Sequence, residues 1–242
     1  MNPWKESALG ARKIKPVKKV QKKAVLPSET VFEKASKWID KNYTMAIGTS
    51  VAVLFAVVSI WGYSAYANSR QVRARSDYGV LVSRLPAEGR ATSADWEKLI
   101  PDLQTFISGH KRTAPALDAR IELARALFEA KRYGDAVKIG QEALGLAPAG
   151  HGLRPLILYQ LGYAYEAAGN LDEAAGQWNS LIQLGAHDLE REAEWNLGRI
   201  FEIRKDFAKA AEMYRLASQT PGDYPPVSLV DQKIAGTKGI SP

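Results

Sequence analysis

The 242-residue chain has no cysteine. That excludes disulfides, thiolate metal sites and a cysteine nucleophile together, and any folded domain must hold by packing alone. Histidine is nearly as scarce: His110, His151 and His187 fall in expected turns, too dispersed for a ligand set. No HExxH, GxSxG or Walker pattern occurs. The Gly-containing run 147–152 lacks the Lys-Ser/Thr ending of a phosphate loop. Glu190, Glu192 and Glu194 read as a solvated helix start, not an acid–base pair. The expectation is a protein without catalysis, cofactor or metal.

A second absence is local. The 28 residues between Lys41 and Arg70 carry no charge. A helix over 45–66 would be about 33 Å long, enough for a hydrocarbon core about 30 Å thick. Trp38 and Tyr43 flank one end, and Trp61, Tyr63 and Tyr66 the other, as interfacial aromatics do. Thr49, Ser50 and Ser59 are too few to make the polar stripe of a core helix. The competing account is a cleaved signal peptide ending at Ala65-Tyr66-Ala67. A 44-residue leading region and so long an apolar run exceed usual signal dimensions.

Charge of both signs returns outside that run, unevenly. Residues 1–44 hold 11 Lys and Arg against 4 Asp and Glu, which is the whole net charge of +7; the other 198 residues balance. The basic side of a span stays in the cytoplasm, so the long domain should lie outside. Arg70, Arg73 and Arg75 reduce the local difference. The expected organisation is a largely disordered cytoplasmic tail over 1–44, a transmembrane helix over 45–66 and a helical domain over 67–242.

Pro3, Pro16 and Pro27 and the scarcity of large apolar residues leave the first 30 residues unable to offset ordering entropy. The lysine run 12–23 fits contact with anionic lipid or RNA, or a role in topology alone. No specific nucleic-acid motif accompanies it. From Ser28, with Val31, Phe32, Ala35, Trp38 and Ile39 at helical spacing, a short amphipathic helix is expected at the interface. The membrane helix should continue unbroken toward Leu85, ending at Pro86 and Gly89. A further helix follows Thr92, with Pro101 as the place for a kink.

The remainder repeats. Leu161-Gly162, Tyr165, Ala174 and Trp178 match Leu197-Gly198, Phe201, Ala210 and Tyr214. A looser copy is Leu123-Ala124, Leu127, Ala136 and Ala143, closed by Pro148. The leucines lie 38 and 36 residues apart, near the period of about 34 of tetratricopeptide units, which these motifs resemble. The fold class expected is therefore all-α: one N-terminal transmembrane helix followed by a tetratricopeptide repeat-like solenoid. Gly169-Asn170 and Lys205-Asp206 are the expected hairpin turns, and a short helix near Ser228 should cap the end.

Counting from the repeat anchors places Asp118, Ile121, Glu122 and Arg125; Leu156, Tyr159, Gln160 and Tyr163; and Glu192, Trp195, Asn196 and Arg199 on the concave face. Tyr159, Tyr163 and Trp195, flanked by Gln160, Asn196 and Arg199, would form an aromatic groove for a peptide. The competing reading packs these aromatics against the neighbouring hairpin.

A basic N-terminus, one span ending in Trp61-Gly62-Tyr63, an Arg/Ala-rich extension to Tyr78 and three such units resemble the YfgM-type ancillary subunit of the bacterial Sec translocon. The resemblance implies an inner-membrane protein whose periplasmic domain works beside the translocon and periplasmic chaperones such as PpiD, in protein transport. The longer, more basic tail and the missing aromatic of the first unit depart from that pattern. The alternative is a structural subunit of another envelope complex, in cell-wall or outer-membrane assembly.

Overall fold

The computed structural model describes residues 30–86 and 91–238; the disorder expected over residues 1–29 and the helix start at Ser28 lie outside them, and the described end of the tail is helical. Ten helices and no strand occur among the described residues. They fall in two compact units, Met1–Ile60 and Trp61–Pro242.

In the first unit, α1 (Val31–Lys41) begins at a capping box. The Glu33 amide donates to Thr30 Oγ1 (3.3 Å) and the Thr30 amide to Glu33 Oε2 (3.0 Å), satisfying two donors that the first turn would otherwise orphan. None of its residues is buried. Asn42 separates it from α2 (Tyr43–Val82), a continuous helix of 40 residues. This is the one helix among the described residues long and apolar enough to cross a membrane. Its hydroxyls serve its own backbone: Thr49 donates to Met45 and Ala46 carbonyls, and Ser50 to Ala46.

In the second unit, the C-terminal part of α2 presents Ala74, Tyr78 and Leu81 to α3 (Ser93–Gly109) and α4 (Ala114–Glu129). The helix stops at Val82, three residues short of the expected Leu85. Trp96, Leu99, Ile100, Leu103 and Phe106 of α3 complete this core with Leu123 and Leu127. Pro101 sits inside α3 without ending it. Thr113, the residue before α4, makes no side-chain cap. Gln71 of α2 accepts from the Ala114 amide instead (3.0 Å). The long helix therefore caps the solenoid's first hairpin.

Three hairpins follow: α4 with α5 (Tyr133–Leu146), α6 (Arg154–Ala167) with α7 (Leu171–Gln183), and α8 (His187–Ile203) with α9 (Phe207–Gln219). Their turns repeat atom for atom. Lys131, Gly169 and Lys205 adopt φ of 62°, 82° and 62°. The next residue's amide reaches back to Leu127, Tyr165 and Phe201 respectively. Each is a Schellman ending, which needs the left-handed residue at that place. The turn at Lys131 has no glycine to announce it. Helix α10 (Val227–Lys238) packs on α9 and buries Val230 with Tyr214 and Ala217. First helices reach one another, α4 to α6 and α6 to α8, so their shared face is the inner, concave one.

Candidate functional site: a cavity between the first helices

The predicted concave residues separate into three groups. Arg125, Tyr159, Gln160 and Tyr163 meet around a cavity of about 570 Å³ between α4 and α6, with Leu156 at its rim. Its walls also include Ala124, Phe128 and Gly140. The Arg125 guanidinium lies 5.1 Å from the Trp96 ring centroid. That cation–π contact holds it over α3 at the edge of the opening.

A polar ladder joins α6 to α8 beside the cavity. Tyr159 donates to Glu192 Oε1 (3.1 Å), and Tyr163 donates to the same oxygen. Asn196 Nδ2 donates to the Tyr163 hydroxyl (3.2 Å), and Arg199 donates to Asn196 Oδ1 (2.9 Å). Arg199 also pairs with Glu166 Oε2 at 3.3 Å, while Glu166 Oε1 accepts from the Trp178 indole (2.9 Å). Burial first, and the Glu192 charge second, push the Tyr159 hydroxyl up to about 12. Burial and the hydrogen bond to Glu192 push Tyr163 still further. Both therefore act as neutral donors at physiological pH. Asn196 is only 1% exposed; it is a rung of this ladder rather than an open groove residue.

Trp195 lies elsewhere. It is buried against Tyr214 of α9, with ring centroids 5.1 Å apart, in the core of the third hairpin. It does not continue the strip of Tyr159 and Tyr163, whose rings stand edge-on to each other and to Trp178. Glu122 and Asp118 face Tyr78 closely enough that, after burial, their charges raise its hydroxyl pKa. Glu122 thus belongs to the junction with α2.

Counting repeat positions missed Phe128, Ala164 and Gly140 as cavity walls. Phe128 carried a signal, being one turn beyond Arg125 on the same helix face. No group of His, Asp and Glu able to hold a metal gathers among the described residues.

The architecture defines a tetratricopeptide-type solenoid. The tetratricopeptide repeat family profile matches residues 100–151 and 159–224, so the chain carries tetratricopeptide repeats, a class built for protein binding. Two crystal structures of the kinesin light chain nearly identical TPR-like repeats of Podosopora anserina are similar to it. One is a point variant, with a TM-score of 0.55; the other has 0.54. Each is 16% identical over 69% of this chain, and the match covers 85% and 86% of those chains. At that identity the likeness concerns fold alone. No curated protein matches the sequence.

Proposed function

We propose that the protein is a membrane-anchored, non-enzymatic scaffold whose 67–242 domain holds a segment of another membrane or exported protein at the α4–α6 cavity. The carrying observation is that cavity: apolar walls on the face that repeats of this class present, rimmed by Arg125, Glu129 and Gln160. The finer reading is service beside the Sec translocon and a periplasmic chaperone such as PpiD, in a bacterial inner membrane. Its support is the sequence resemblance, the apolar Tyr43–Val82 helix and the basic excess in residues 1–44. A structural role in another envelope complex is the second reading, because nothing in the cavity's chemistry is particular to export.

Two measurements test this. A reporter active only outside the cytoplasm should be active when fused after Pro242 and silent when fused at the N-terminus; the reverse pattern overturns the orientation. A photoreactive side chain at Gln160 should crosslink translocon or chaperone subunits in intact membranes, and cell-wall or outer-membrane assembly proteins would favour the second reading. Leu156→Arg, at a rim position 41% exposed, is expected to weaken that crosslinking about thirtyfold, as loss of an anchor of about 2 kcal/mol does. Helicity should hold. Glu142→Ala, on the exposed side of α5, should change nothing. Undiminished crosslinking in the Leu156 variant would place the partner elsewhere.

A further inference from the structure

The second and third hairpins are each closed by an aromatic knob. Trp178 of α7 sits against Gly162 of α6, and Tyr214 of α9 against Gly198 of α8. Both pairs are sixteen residues apart. The same register in the first hairpin pairs Ala124 with Gly140. Here the second helix supplies no side chain at all. The residues around Trp178 include Gly162, Tyr163 and Glu166, whose counterparts 38 positions earlier are Ala124, Arg125 and Phe128. All three, with Gly140, line the α4–α6 cavity. The cavity therefore lies where the other two hairpins keep their aromatic ring.

We propose that this cavity takes an aromatic side chain from the bound partner, which completes the first hairpin as Trp178 and Tyr214 complete theirs. The inference rests on the reading of the cavity as the partner site and names what enters it. The polar surroundings narrow the choice. The Trp178 indole donates to Glu166 Oε1 (2.9 Å) and the Tyr214 hydroxyl to Glu202 Oε2 (2.7 Å). At the corresponding place stands Phe128, which accepts nothing. A donor aimed at that wall would lose its water without an acceptor from it, unlike Trp178 at Glu166 and Tyr214 at Glu202. The ring that fits is phenyl, the side chain of phenylalanine, stacked edge or face against Phe128. Leu161 borders the cavity beside Gly140: a Cβ there would lie 2.7 Å from Leu161 Cδ2 and 3.0 Å from its Cγ.

The full-length protein in lipid nanodiscs, with leucine methyl groups labelled for NMR, provides the test, with N-acetyl-L-phenylalaninamide as the probe. Saturable shifts are expected at Leu156 and Leu161, with affinity about two- to twelvefold above that of N-acetyl-L-leucinamide, the advantage of an aromatic pair. Gly140→Phe, which fills the cavity from within, should abolish the shifts. Phe128→Glu restores the acceptor of the other hairpins and should turn the preference from N-acetyl-L-phenylalaninamide to N-acetyl-L-tyrosinamide, even if the Gly140 variant fails to fold. No saturable shift, equal binding of the leucine probe, or unchanged preference in the Phe128 variant would each overturn the proposal. If Gln160 crosslinking persists under those outcomes, only the aromatic assignment falls; if it too is absent, the cavity is not the partner site.

Discussion

Gly162→Ala is expected to destabilise the solenoid by about 1–3 kcal/mol, although it adds one methyl group to a helix. A Cβ at this position would lie 2.5 Å from both Cε2 and Cζ2 of Trp178 and 2.8 Å from Cη2. The indole has nowhere to go. It is fully buried, stands edge-on to Tyr159 and Tyr163, and is tied through its nitrogen to Glu166. The helices must separate, or the ring must leave its hydrogen bond. Gly176→Ala is the control, since a Cβ there meets nothing within 4 Å. It should stabilise by about 0.5–1 kcal/mol through helix propensity. Thermal unfolding of residues 61–242, followed by circular dichroism, reads both as shifts of about 2–4 °C per kcal/mol. The hairpin register is wrong if Gly162→Ala melts at or above the parent.

That same contact explains what could be read in advance. Gly162 with Trp178 and Gly198 with Tyr214 are pairs of opposite extremes at fixed spacing, and close helix approach demands both members. The long apolar run likewise declares itself by composition. The first hairpin was harder, because its knob position is a glycine. Ala143 drew the register there; the structure places Gly140 opposite Leu161. The inner face was legible only in part for a related reason. Repeat counting assigns a direction to each position as if every unit turned equally. In α8, Trp195 packs with Tyr214 of α9 and with Val230 of the terminal helix α10. Nor does spacing reveal that Glu192 would draw both tyrosine hydroxyls to one oxygen.

Arg191→Met is expected to be the costliest polar substitution. Arg191 is 5% exposed and reaches from α8 to the last turn of α9 and the segment beyond it: Nε donates to the Ala217 carbonyl within α9 (3.0 Å) and Nη1 to that of Gly222 after it. Methionine keeps the stem but leaves both carbonyls without this donor, at about 1–3 kcal/mol each. The loss also depends on pH, through Glu194. That carboxyl is 4% exposed and its pKa lies above the ordinary 4.5, chiefly because burial disfavours the ion; Thr220 and the Arg191 charge pull the other way, and Glu190 adds to the rise. A carboxyl raised in the fold contributes stability that is complete below its unfolded pKa and is lost as pH rises through the folded one. Removing the Arg191 charge raises Glu194 further. The deficit of Arg191→Met relative to the parent should therefore be smaller at pH 4 than at pH 7. Glu194→Gln removes the ionisation altogether, so, added to Arg191→Met, it should recover part of the deficit at pH 7 and little at pH 4. Denaturant unfolding of the parent, the two single variants and the double variant at the two pH values gives the answer. An Arg191 variant as stable as the parent, or one whose deficit is greater in acid, would show that this arginine neither fastens the segment after α9 nor sustains the charge on Glu194.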